Sequence, residues 1–140
     1  MKTFYRLFVL VGLTAVLYAC SNDTPPAPAA IAELCTMESS TWVIVEGYLG
    51  LPSFLTCQEG KCRINFGNDG SGIMATVRAS EEPRANMLKL PPDQYSLDDL
   101  SVVLDDGTTA DRQTLLAATG RVRRPSANDC YLDVSSLNRP

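Results

Sequence analysis

"TWVIVEGYL", residues 41–49, holds the pattern on which the fold turns. β-Branched and aromatic residues fill it with a period of two, the signature of a half-buried strand. Val43, Val45, Gly47 and Leu49 fall on one face, and Trp42, Ile44, Glu46 and Tyr48 on the other. A glycine in mid-strand marks a bend or bulge, so Gly47 predicts a corner there. Two further strands follow. "CRINF" sets Ile64 and Phe66 against Arg63 and Asn65. "GNDGSG" is a turn, and "GIMATVR" sets Ile73, Ala75 and Val77 against Met74, Thr76 and Arg78.

The next segment is of another kind. "SEEPRANMLKLPPDQ", residues 80–94, carries three prolines and five charges and predicts an irregular crossing. "YSLDDL" predicts a short helix with Ser96 as N-cap and Asp98 and Asp99 in the first turn, where the helix dipole favours negative charge. "SVVLDDGTTAD" predicts a small hairpin turning at Asp106-Gly107. A fourth main strand, "LLAATGRV", puts Leu116, Ala118 and Val122 on one face and Thr119 and Arg121 on the other. The fifth, "CYLDVSSL", alternates Tyr131 and Asp133 with Leu132 and Val134.

Three meandering strands, a crossing with a short helix, and two more strands resemble the OB-fold family. The residues that carry the resemblance are "VEGYL" with its mid-strand glycine, "ATGRV", and "CYLDV" after a loop. It covers residues 41–137. It implies an all-β domain, a five-stranded Greek-key barrel with one short helix between strands three and four. Another small barrel or a β-sandwich is the alternative.

Cysteine spacing adds constraints. In "CQEGKC", a two-residue turn at Glu59-Gly60 makes Gln58 and Lys61 one cross-strand pair and Cys57 and Cys62 the next, within disulfide reach. Cys35 and Cys130 then pair by elimination and join the two ends of the domain. The alternative is a four-cysteine zinc site, but Cys35 and Cys130 have no close partner in sequence.

The N-terminus predicts an address. Lys2 and Arg6 precede an apolar run, Leu7–Leu17, too short for a transmembrane helix and of the length of a secretory signal. Leu17-Tyr18-Ala19-Cys20 resembles the cleavage box of bacterial lipoproteins, although Tyr18 is bulkier than that box prefers. The resemblance implies a signal peptide over residues 1–19 and a lipidated Cys20 as the new N-terminus. The alternative is a plain secretory signal with an incidental cysteine. Residues 20–32, rich in proline and alanine, predict an extended tether. Residues 33–140 form the domain, of common single-domain size.

Removal of residues 1–19 leaves ten basic against 16 acidic side chains, a net charge of −6. That balance opposes tight nucleic-acid binding and gives no polybasic run for anionic lipid. The chain contains no histidine, which excludes histidine-based triads and metal sites. "GNDGSG" lacks the spaced carboxylates of a calcium loop. The neighbouring pairs Asp98-Asp99 and Asp105-Asp106 are explained by a helix start and a turn, Trp42 by packing at the end of the domain with a ligand platform as the alternative, and "RVRRP" by a solvated loop with an anionic partner site as the alternative.

The OB resemblance implies a ligand face across strands two and three, between the loop after strand one and the loop before strand five. Its outward residues here are Arg63, Asn65, Met74, Thr76 and Arg78, with Arg121 leaning out from strand four and Arg123 and Arg124 beyond it. The face lacks the paired aromatics that stack bases. Arginine forks suit an envelope protein segment or an anionic polymer. The expected role is a lipid-anchored, extracytoplasmic binding or adaptor module without catalysis or cofactor. A ligand-free structural envelope protein and a carboxylate-dependent glycan hydrolase are the alternatives.

Overall fold

The alternation at residues 41–49 becomes the strand around which the barrel closes. The computed structural model describes residues 24–140. Its strands are β1 (Ala27–Pro28), β2 (Trp42–Gly50), β3 (Thr56–Gln58), β4 (Lys61–Asn68), β5 (Ser71–Ser80), β6 (Met87–Lys89), β7 (Val102–Val103), β8 (Thr109–Ala110), β9 (Leu116–Ser126) and β10 (Asp129–Asn138). Short 3-10 helices occupy Ile31–Thr36 and Leu97–Asp99.

Five strands close on themselves in the order β2-β4-β5-β10-β9 and back to β2. Every pairing is antiparallel except β5 with β10. The crossing segment brings the chain back to lay β10 parallel beside β5. This is the five-stranded OB-like Greek-key barrel. Gly47 is its corner: Trp42–Gly47 pairs with β9, and Tyr48–Gly50 with β4. A Cβ on Gly47 would lie 2.9 Å from both the Gly67 carbonyl and the Phe66 ring, closer than packed atoms approach.

Inward positions fill the barrel. Val43, Val45, Leu49, Ile64, Phe66, Ala75, Val77, Leu116, Ala118, Val122, Leu132 and Val134 are all buried. Each large one contributes about 1.5–3 kcal/mol of transfer free energy. On β10 a bulge between Val134 and Ser136 inserts one residue. It shifts the parity, so that Leu137 also points inward and is wholly buried. β6, β7 and β8 extend the sheet beside β5 and bury Leu88, Leu100, Val102 and Leu104. They are tied to β10 where the Leu137 amide donates to Asn86 Oδ1 (2.8 Å) and the Asp105 amide to the Leu137 carbonyl (2.9 Å).

The turns follow their chemistry. Glu59-Gly60 and Asp69-Gly70 both have positive φ, as two-residue hairpins need. The helix at Leu97–Asp99 starts with a reciprocal capping box between Ser96 and Asp99. Both expected disulfides form. Cys57–Cys62 staples the β3–β4 hairpin with Cα atoms 4.0 Å apart, and Cys35–Cys130 joins residues 95 apart in sequence. The zinc alternative therefore falls. Two disulfides place the domain in an oxidising, extracytoplasmic compartment.

Three expectations need correction. The signal peptide and Cys20 lie outside the described residues, but the second half of the tether lies inside them and is not free. Ala27 and Pro28 pair in parallel with Val43 and Ile44, the Ala29 amide donates to the Ile44 carbonyl (3.1 Å), and Ile31 is buried in the core. An extended proline-rich segment can still lend its few N–H and C=O groups to an exposed strand edge. Next, the crossing at residues 80–94 contains a strand, β6, parallel to β5. Last, Arg123 and Arg124 belong to β9, not to a loop, because β9 runs on to Ser126 opposite the start of β10.

Candidate functional site

The register of the barrel lines up one row of outward side chains across six strands. Trp42 faces Arg121, Arg121 faces Asp133, Asp133 faces Thr76, Thr76 faces Arg63, and Arg63 faces Thr56. The next row runs Arg123, Tyr131, Met74, Asn65. Lys61 and Arg78 pair on the other side of the first row. Between β4, β5 and β10 lies a depression of about 230 Å³, lined by Thr56, Gln58, Glu59, Lys61, Arg63, Thr76, Tyr131 and Asp133. The stapled hairpin forms its rim.

Asp133 organises the floor. Its Oδ1 accepts from Lys61 Nζ at 2.7 Å and from the Thr76 hydroxyl at 3.0 Å, and its Oδ2 lies 3.7 Å from Arg123. Burial alone pushes its carboxyl up, but the hydrogen bonds from Lys61 and Thr76 and the charges of Lys61 and Arg123 outweigh it. The net shift is below the usual carboxylate range. A depressed pKa contributes stability above the unfolded carboxylate value of about 3.9, lost as pH falls through the folded value. Asp133→Asn is therefore expected to cost roughly 1–2 kcal/mol at neutral pH, and much less near pH 3. Urea melts of both proteins at the two pH values check this. An equal gap at both would remove Asp133 from the acid response.

The other cations are also held. The Arg63 guanidinium lies over the Tyr131 ring at 5.2 Å, and that of Arg121 over Trp42 at 4.9 Å. Arg121 also donates to the Ser40 carbonyl (3.0 Å), Arg123 to Ser40 Oγ (3.1 Å) and Arg124 to the Met37 carbonyl (3.2 Å). A guanidinium stacked on a ring is pre-aimed and retains free N–H donors.

The expected face is thus assembled, with one correction. Arg63, Asn65, Arg78 and Arg121 are exposed and Met74 is half-buried. Thr76 points outward but is only 9% accessible, because Asp133, bonded to both Thr76 and Lys61, covers it. Its hydroxyl serves Asp133 and is not offered to a ligand. The sequence reading missed Lys61, which alternation on β4 already sets outward with Arg63, and Tyr131 and Asp133, which become part of the face only through the parallel β5–β10 pairing. It also missed Phe54, 84% accessible in the loop after β2. That loop is pinned where the Tyr95 hydroxyl donates to the Pro52 carbonyl (2.7 Å). A lone aromatic flanked by Pro52 and Ser53 was the available signal.

Charge is unevenly spread. From residue 24 onward the chain has ten basic side chains. Five of them, Lys61, Arg63, Arg78, Arg121 and Arg123, stand in these rows around Asp133. The acidic whole-chain balance conceals this basic face.

No family model and no curated protein matches the chain. Among solved structures, the hypothetical protein ygiW from E. coli is similar with a TM-score of 0.51 at 11% identity, over 81% of this chain and 90% of that one. The telomere capping protein Ten1 from Saccharomyces pombe gives a TM-score of 0.43 at 10% identity, over 82% of this chain and 81% of that one. The first likeness concerns the barrel fold alone, and the second is too low to carry weight.

Proposed function

We propose that this chain is a non-catalytic binding module, held by lipid on Cys20 at the extracytoplasmic side of a bacterial membrane, that takes an anionic partner on the outer face of β4, β5 and β10. The observation that carries this reading is that Lys61 and Arg63 line a shallow depression, with Arg78 paired beside Lys61, in a chain whose net charge is otherwise strongly negative. Oriented guanidinium forks recognise carboxylate or phosphate groups. The stacked Arg63–Tyr131 pair adds a flat, partly apolar contact. Hydrolysis of glycans needs two carboxyl groups facing each other across a cleft. In the depression Asp133 is committed to two cations and one hydroxyl, and Glu59 sits on the hairpin turn. Binding suits this surface better than catalysis.

Two experiments test the reading. Mass spectrometry of the membrane-purified protein is expected to find an acylated N-terminal Cys20, and Cys20→Ala to release the chain from the membrane fraction. Recovery of that variant in membranes at wild-type levels would remove the anchor. Crosslinking pull-down from intact cells then compares wild type with Arg63→Glu/Arg78→Glu, after circular dichroism confirms folding. Capture is expected to fall about tenfold or more, since reversing two charges replaces attraction by repulsion, and to weaken with added salt. A protein partner appears as a crosslinked peptide and a polymer as a phosphate- or uronate-bearing adduct. Equal capture by both proteins would favour a structural envelope role. Tight, sequence-independent binding to single-stranded DNA would overturn the expectation of no nucleic acid.

A further inference from the structure

The described chain begins beside the other end of the basic face. Thr24, Pro25, Pro26 and Ala27 line a hollow of about 630 Å³ together with Ser40, Thr41, Trp42 and Arg121. From there Ala27 and Pro28 are fixed on β2, and Ile31 is buried. If lipid sits on Cys20, only residues 20–26 separate it from this fixed segment. Seven residues reach at most about 25 Å, against 35–40 Å for a free polyproline tether of twelve. The anchor is therefore a short leash, and it ends at Trp42.

What surrounds that point is suited to a lipid surface. Trp42 is partly exposed beneath Arg121, and Arg123 and Arg124 follow on the same strand, with Arg124 exposed. Tryptophan favours the boundary between headgroups and acyl chains, and arginines near the surface attract anionic lipid. The remaining acidic surface is repelled by the same lipid, so the uneven charge orients the barrel as well as attracting it. Trp42 and Arg63 stand on the same row with Arg121, Asp133 and Thr76 between them. No residue lines both the hollow at Trp42 and the depression at Arg63, so the lipid-facing end and the partner depression are separate places.

We infer that the barrel docks on its own membrane through Trp42, Arg121, Arg123 and Arg124, taking anionic phospholipid headgroups at this end. The inference rests on the acylation of Cys20 proposed above. It replaces a domain lifted on a spacer by one lying against the bilayer in a fixed orientation.

Trp42 is the single tryptophan of the chain and reports directly. The mature protein, purified from membranes with its N-terminal mass determined, is reconstituted into phosphatidylcholine vesicles with or without phosphatidylglycerol, each carrying a headgroup spin label. Quenching of Trp42 emission is expected with phosphatidylglycerol and is expected to fall as salt is added to the wild type. In Arg123→Gln/Arg124→Gln each lost charge should lower the docked-to-undocked ratio about fivefold. The salt series stands even if that variant folds poorly. Acylated protein that floats with the vesicles, yet shows Trp42 quenching independent of phosphatidylglycerol, overturns the docking and leaves the anchor intact. An unacylated Cys20 overturns both.

Discussion

Replacing Cys35 and Cys130 together by alanine is expected to remove about 4–5 kcal/mol of stability, close to the whole stability of a small domain. The bond closes a loop between residues 95 apart, and loop-closure entropy in the unfolded chain grows with that length. For a domain of this size the loss corresponds to roughly 15–30 °C in Tm. The bond also fastens the helix Ile31–Thr36 to the start of β10, so its loss leaves the segment that carries the tether held only by its β2 pairing and the burial of Ile31 and Leu34. Cys57→Ala/Cys62→Ala is the internal comparison. Its loop spans residues five apart, for which the same model gives roughly 2 kcal/mol. Urea melts of the two double variants under non-reducing conditions check the order. Equal losses, or a long-range variant within 1 kcal/mol of wild type, would show that the unfolded chain is already compact around these ends. Peptide mapping that joins Cys35 to Cys57 or Cys62 would overturn the pairing itself.

The barrel was legible because each strand declares its own faces. Val43 and Val45, Ile64 and Phe66, Ala75 and Val77, and Leu132 and Val134 alternate with outward-facing residues, and all are buried. "CQEGKC" encodes its own disulfide, since a turn of two residues fixes the register. What was not legible depends on partners far off in the chain. Asp133 and Thr76 meet only because β10 lies parallel to β5, a register that no local pattern announces. Alternation placed Thr76 outward correctly, but could not show that Asp133 would cover it. Arg63 reaches Tyr131 by the same route. The segment 27–31 misled for another reason. Prolines forbid a helix and a central strand, yet permit two residues of edge pairing, and the helix at Ile31–Thr36 starts at Ala30 without a side-chain cap. Composition therefore resembled a free spacer although Ile31 was to be buried. Net charge misled most about function, because it sums over a surface whose basic residues are gathered in a few rows.

Gly120→Ala is expected to destabilise by about 3 kcal/mol or more, at the upper end of overpacking costs, and in the limit to prevent folding. Gly120 lies on β9 between two strands, facing Val43 of β2 and Val134 of β10. Just beyond Val134 the bulge on β10 adds its extra residue. A Cβ on Gly120 would stand 2.4 Å from the Asp133 carbonyl oxygen and 3.1 Å from the Val134 Cα. These are backbone atoms, so no rotamer change relieves the contact. Either β10 moves outward or the bulge is lost. Losing the bulge would return Leu137 to the solvent side of the strand, because side-chain parity reverses with each inserted residue. Moving β10 would also disturb Asp133 and, through it, the Lys61–Thr76–Arg123 arrangement of the candidate site. The variant should therefore lose stability and partner capture together, which separates it from the charge reversals at Arg63 and Arg78. Gly72→Ala is the control. Its added Cβ would meet only the Phe66 carbonyl oxygen, at 3.8 Å, and it should stay within about 1 kcal/mol of wild type. Chemical denaturation of both variants decides the point. If Gly120→Ala melts with Gly72→Ala, the close approach of β9 and β10 is not what that glycine serves.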